Sequence, residues 1–319
     1  NWKKFTQAIS EAGIPYAFTI GNHDIDGDLD RYEIAKLDMT HPLSVRKTSE
    51  GIPDTLNFYV PVYSSQSQDK LAANIWLFDS GRKGCMGREN SWGCVEEHQI
   101  QWYEQESKKI KEQHGNDDVH HIAFVHIPPP EYMTLVNQGE IYGSAGESVS
   151  CPLVNSGFVD RVKAGNDISA IFVGHDHRNN YGGWYNGLEL VYGQKSGFGG
   201  YAEIVGARVI QFKENIDSRG KLNVQRNHYV VFENGTVDTS RDMSVKSGEK
   251  QTRCISAGFD SEFKKRRSRF FYDHLLLAGE ILLVLIAIYA FKKIKCGSRR
   301  KEQVPFTEFT DMSDERVVV

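Results

Sequence analysis

Cysteine is scarce, five among 319 residues. That is too few to staple a scaffold of this length, so the fold has to rest on a packed core. An excess of one charge is missing too. Thirty-eight Lys and Arg against 42 Asp and Glu leave a net charge of −4, which argues against a general nucleic-acid binder. There is no internal repeat. The chain also lacks an initial methionine: it opens on Asn1, in mid-pattern, and reads as part of a longer protein. What is present is enough for a globular domain. Apolar residues make up 39% and aromatics 11%, which excludes wholesale disorder. The length allows one large domain or two small ones.

Only one long apolar run occurs. Leu275–Phe291 reads LLLAGEILLVLIAIYAF with the single charge Glu280, and Phe270, Phe271 and Tyr272 extend it. As a helix the run reaches ~25 Å, the lower edge of a membrane span. Dense basic flanks (Lys264–Arg267 and Arg269 before; Lys292, Lys293, Lys295 and Arg299–Lys301 after) favour a span over 270–291 rather than a buried helix. The two flanks carry nearly equal positive charge, so they barely fix an orientation. The sequon Asn234-Gly235-Thr236 lies upstream. If Asn234 is glycosylated, the large domain is lumenal or extracellular and the tail is cytosolic.

Upstream, short apolar runs alternate with polar helical stretches. Ile14–Ile20, Ile75–Phe78, His121–His126, Ala170–Val173, Leu188–Tyr192 and Arg208–Phe212 predict strands. Val95–Gln113 and Phe158–Ala164 predict helices. The alternation implies an α/β domain over 1–213. A polar extension and basic linker would fill 214–269, with one more strand at Asn227–Phe232, and a polar tail, disordered by composition, would fill 292–319.

Three histidine-bearing segments sit directly after predicted strands: Gly21-Asn22-His23-Asp24, His126 before Ile127 and three prolines, and Gly174-His175-Asp176-His177. Loops at the carboxyl ends of strands converge on one edge of an α/β sheet, where ligands bind. Imidazoles and an amide oxygen suit Zn, Fe or Mn, and His-x-His lets two rings reach neighbouring ions. Two ions ~3.5–4 Å apart would hold a phosphate and activate a water. Each motif alone is weak, but the ordered set is not.

The ordered blocks GNHD, FVHIPPP and VGHDH resemble those of the calcineurin-like metallophosphoesterase superfamily, and within it the purple-acid-phosphatase-like group. LFDSG (Leu77–Gly81), FVHIPPPEY (Phe124–Tyr132), VNSGF (Val154–Phe158) and AIFVGHDHRNNY (Ala170–Tyr181) carry the likeness over roughly 14–212. The resemblance implies a four-layer α/β/β/α sandwich and two divalent or mixed-valence transition-metal ions (Fe, Zn or Mn). It assigns Asn22, His126 and His175 to one ion and His177 to the other, with His23 as proton donor to the leaving group and Asp24 orienting it. It implies a phosphorylated substrate, attacked by a metal-bound hydroxide. A phosphomonoesterase is the leading expectation, a phosphodiesterase the alternative. A membrane-tethered scaffold without catalysis is a third reading. Its support is that the superfamily's Asp-x-His and Gly-Asp blocks should precede GNHD, whereas the twenty residues before Gly21 contain neither. The chain thus reads as a truncated copy, incomplete for activity.

Cys85 and Cys94, nine apart in a glycine-rich loop, are a candidate disulfide for an oxidising lumen; two free thiols are the alternative. Whether Cys151 and Cys254 pair is open. Cys296, just past the apolar run, is a candidate for palmitoylation.

Overall fold

A computed structural model describes residues 2–46, 56–115, 120–243, 250–255 and 315–318. The expected span at 270–291, its basic flanks and Cys296 lie outside the described residues. Among the described residues no helix is long and apolar enough to cross a membrane.

The framework is a six-stranded sheet of β1 (Phe58–Tyr63), β2 (Leu71–Phe78), β5 (His120–Val125), β6 (Ile168–Val173), β8 (Leu188–Tyr192) and β7 (Gly182–Tyr185), in that order. β2, β5, β6 and β8 run parallel, and β1 and β7 close the edges antiparallel. All eight residues of β2 are buried, as expected of a strand covered on both faces. Its alternation divides the core in two. Trp76 and Phe78 face one cluster with Tyr103, Phe158 and Val162. Those partners come from α3 (Glu97–His114) and α5 (Phe158–Gly165), and α4 (Glu131–Gln138) adds Tyr132 and Leu135 to the same cluster. Ile75 and Leu77 face the other cluster with Ile122, Phe172 and Val191, and there they meet Ile210, Phe212 and Val224 of a second sheet.

That second sheet is ordered β11 (Val237–Asp238), β10 (Leu222–Phe232), β9 (Gly206–Ile216) and β12 (Glu315–Val318). Lys213, Asn215, Gln225 and Asn227 are exposed on it. The described residues therefore form three layers, helices on sheet on sheet. The fourth layer of the expected sandwich, helices beyond the second sheet, is not built among them. The boundary expected after residue 213 falls inside β9, whose full-length pairing with β10 carries the core past it. Part of the tail expected to be disordered is also a strand: Glu315–Val318 pairs with β9, as suits β-branched valines.

The strand predicted at Ile14–Ile20 does not form. Only an isolated bridge, Tyr16 to Ser44, is made there. Side chains take up two of its backbone carbonyls in place of a neighbouring strand. Arg46 Nη2 donates to Phe18 O at 2.6 Å and Arg31 Nη2 to Ile20 O at 2.8 Å. Arg46 is itself fixed by Asp38, both side chains wholly buried. Asp38 belongs to α2 (Arg31–Met39), which starts on an Asp30–Glu33 capping box. α1 (Trp2–Ala12) precedes this segment, and a short hairpin of β3 (Lys83–Cys85) and β4 (Arg88–Trp92) follows β2. Cys85 is bonded to Cys94 beside that hairpin, and Cys151 to Cys254.

Candidate functional site

Because β5 and β6 are parallel neighbours, the loops after them open on the same sheet edge. His126 follows β5 and His175 follows β6. The Gly174 N–H donates to the His126 carbonyl at 3.1 Å, tying the two loops together. The third loop, Gly21–Asp24, comes from the irregular segment before α2. It folds back on itself where the Gly21 N–H donates to Asp24 Oδ2 at 2.6 Å. Gly21 keeps the approach close, since a Cβ would stand 3.1 Å from His126 Cε1 and 3.3 Å from Asp24 Oδ2 and push them back by a few tenths of an ångström.

These loops bring three donors together. Asn22 Oδ1 lies 2.7 Å from His126 Nε2 and 3.2 Å from His175 Nδ1. Donors bound to one transition-metal ion at ~2.1 Å lie ~3 Å from one another, so these separations fit a single ion. Burial, and then the charges of Arg31, His23 and His177, lower the His126 pKa to about 4 and keep the ring neutral. His175 adopts φ +74°, a left-handed backbone rare outside glycine. Such strain costs ~1–3 kcal/mol and collects at functional sites. Trp92 packs edge-on against its ring, centroids 4.6 Å apart.

His177 is held differently. Its Nδ1 donates to Tyr201 O at 3.2 Å and its ring stacks on Tyr201 at 4.4 Å. A ring anchored through Nδ1–H to a carbonyl leaves Nε2 as a metal donor, the usual arrangement behind a ligating histidine. Between His175 and His177, Asp176 is buried and accepts from Tyr192 Oη at 2.6 Å. Burial raises its pKa to about 7.

One expected role is corrected. Asp24 does not orient His23, because its carboxylate is committed to the Gly21 amide. His23 Nδ1 instead meets Asp26 Oδ2 at 2.6 Å, and Arg82 Nη2 holds the other Asp26 oxygen at 2.8 Å. Asp26 has no motif around it. A one-turn 3₁₀ helix, Asp24–Asp26, carries it to the ring. Sequence reasoning also missed Arg31, which reaches the loop from α2: Nη1 donates to Gly21 O at 3.0 Å and Nε to Asp79 Oδ2 at 3.0 Å.

The donor chemistry suits one ion: an amide oxygen and two imidazoles with positions left open. For a second ion the described residues supply His177 alone of the expected ligands. Among them no group of three or more His, Cys, Asp or Glu side chains could hold a metal.

The family model for calcineurin-like phosphoesterases matches residues 1–179. Among curated relatives, the probable inactive purple acid phosphatase 14 of Arabidopsis thaliana is 28% identical over 66% of this chain and 56% of its own length. The probable inactive purple acid phosphatase 29 of the same plant is 27% identical over 68% and 60%. Phosphatase DCR2 of Saccharomyces cerevisiae is 27% identical over 53% of this chain and 30% of its own. The chain thus spans little more than half the length of the two plant relatives. No solved structure matches it.

Proposed function

Since the chain belongs to the calcineurin-like phosphoesterase family, we propose that it is the metal-binding part of a phosphatase acting on phosphomonoesters. The observation that carries this reading is the meeting of Asn22 Oδ1 with His126 Nε2 and His175 Nδ1 at one sheet edge. In it Asn22, His126 and His175 hold one ion and His177 contributes to a second. Ions bound there would supply an activated water and grip the phosphoryl oxygens.

The protein's own groups do the rest. Asp26 accepts from His23 Nδ1–H and so turns Nε2 toward the position of the departing alkoxide as the proton-donating atom. Arg82, by holding Asp26, fixes that pair. Tyr201 sets the tautomer and tilt of His177. Direct transfer to water needs no nucleophilic side chain.

The test is metal content together with hydrolysis of p-nitrophenyl phosphate and of bis-p-nitrophenyl phosphate by the full-length protein to which this chain belongs. Metal-dependent turnover of the monoester above the diester supports the reading. Preference for the diester replaces it with a phosphodiesterase, and metal binding without turnover of either replaces it with a binding protein.

The proposal extends to where the domain works: the run at 270–291 anchors it, with the catalytic side lumenal or extracellular. The two disulfides support an oxidising compartment, and Asn234 lies exposed in the turn after β10, open to a glycosyltransferase. A mobility shift on glycosidase digestion that vanishes in Asn234→Gln tests this.

A further inference from the structure

His120 opens β5 and His126 follows its end, so the two ends of that strand stand ~20 Å apart. At the His120 end, away from the histidine loops, lies a cavity of about 470 Å³ lined by Tyr142, Trp184, Glu189, Arg226, Arg241 and Met243 among others. We infer that this cleft is a second binding site, for a small organic anion with a phosphate or carboxylate head and a flat apolar body.

The charges motivate it. Glu189 is saturated: Oε1 accepts from Tyr142 Oη at 2.7 Å, from His228 Nε2 at 3.1 Å and from Arg241 Nη1 at 3.4 Å, while Oε2 accepts from Arg226 Nη2 at 2.7 Å. Behind it, Arg208 Nη1 meets His228 Nδ1 at 2.9 Å, and Asp238 is the further carboxylate bearing on Arg208. Arg241 Nη2 also donates to the His228 carbonyl at 2.9 Å. Among the described residues, three guanidiniums and two carboxylates thus meet here.

Tying β8 to the second sheet accounts for Glu189, His228 and Arg208. It leaves two features unexplained. Arg226 has a side chain only 8% exposed, yet its Nε has no hydrogen-bond partner among the described residues. Glu189 pairs the charge through Nη2, but a buried Nε–H left without an acceptor is itself costly. Trp184, on the edge strand β7, is 53% exposed as a residue and lines the cavity wall. The Arg241 guanidinium lies 4.6 Å from the Tyr142 ring centroid, which keeps it aligned along that wall. An anionic head would sit between Arg226 and Arg241, with the flat body on Trp184. The volume lies in the range of small-molecule sites.

Phenylphosphonate, whose P–C bond a phosphatase does not cleave, and benzoate are the probes, titrated by calorimetry into the full chain carrying His175→Ala. That substitution removes a candidate metal ligand, so the result is independent of the histidine site. Saturable one-site binding at or below ~1 mM is expected for at least one head group, with benzyl alcohol silent. Trp184→Ala and Arg241→Gln, both at partly exposed positions, should each weaken it about tenfold in that chain and, made in the parent chain, leave metal content unchanged. The tighter of the two probes identifies the head group. Absence of binding in the His175→Ala chain, or affinity unchanged by both cleft substitutions, overturns the inference.

Discussion

Arg31 is clamped by Asp79, which accepts from its Nε and Nη2, and the same guanidinium spans the carbonyls of Ile20 and Gly21. The residue that delivers Asn22 to the histidines is therefore positioned from α2 and from the end of β2. Asp79 is in turn fixed by Asn57 and Gln99: its N–H donates to Asn57 Oδ1 and its carbonyl accepts from Gln99 Nε2. Arg31→Met should destabilise the fold by ~3–5 kcal/mol, because it strands a buried carboxylate. Pairing it with Asp79→Asn should recover part of that loss, whereas metal affinity should stay low in both. Denaturant titration and a metal-binding isotherm of the two variants test this coupling.

For His23, position predicts a loss confined to turnover. It stands beside the three candidate metal donors, and its hydrogen-bond partner among the described residues is Asp26. His23→Ala should lower kcat on an alkyl phosphate by ~10²–10⁴ with metal content intact, and by less on a nitrophenyl phosphate, whose leaving group needs little protonation. Asp26→Asn should follow the same leaving-group trend more weakly. Asp24→Asn should instead disturb the loop and metal retention.

Much of this was legible beforehand, for identifiable reasons. Strands buried on both faces announce themselves as continuous apolar runs, so β2, β5, β6 and β8 were readable. So were the motifs at their ends. What was not readable depends on contacts far apart in the chain. Ile14–Ile20 has the composition of a strand, yet two arginines, Arg31 and Arg46, take its carbonyls. The partner of His23 was misassigned to the adjacent Asp24, because the turn that brings Asp26 round leaves no periodic signal. β1 carries a proline at Pro61 and borders β2 only at an edge. The extent of β9 and β10 was hidden because their polar faces look outward.

Two buried histidines give the fold a defined acid sensitivity. Burial lowers the pKa of both His121 and His228 to about 4. Trp76 Nε1 donates to His121 Nδ1 at 3.3 Å, and Asp167, Lys111 and His120 are the charged neighbours. Arg208 donates to His228 Nδ1, with Glu189 and Arg241 on its other side. Unfolded imidazoles titrate near ~6.5. Between about 6.5 and about 4 the unfolded chain therefore binds protons that the native chain refuses. Stability is full above that window and falls as pH drops through it, by up to ~1.4 kcal/mol per unit for each ring. His121→Asn, which keeps an acceptor for Trp76, should flatten the slope by about one proton when urea titrations at several pH values are compared.

The two disulfides should differ in weight. Cys151–Cys254 closes 103 residues and Cys85–Cys94 only nine. In the chain-entropy account these correspond to ~4.7 and ~2.7 kcal/mol. Cys254→Ser should lower Tm more than Cys94→Ser, a ranking that calorimetry under non-reducing conditions checks directly.

The central claim is that Asn22, His126 and His175 are ligands of one ion. Its most direct measurement is transition-metal affinity of the full chain and of Asn22→Ala, His126→Ala and His175→Ala, each first checked for folding by its near-ultraviolet dichroism. The account predicts a bound ion in the parent chain and loss of that ion, by at least about tenfold in affinity, in all three folded variants. Undiminished metal binding by any folded variant of the three would contradict it.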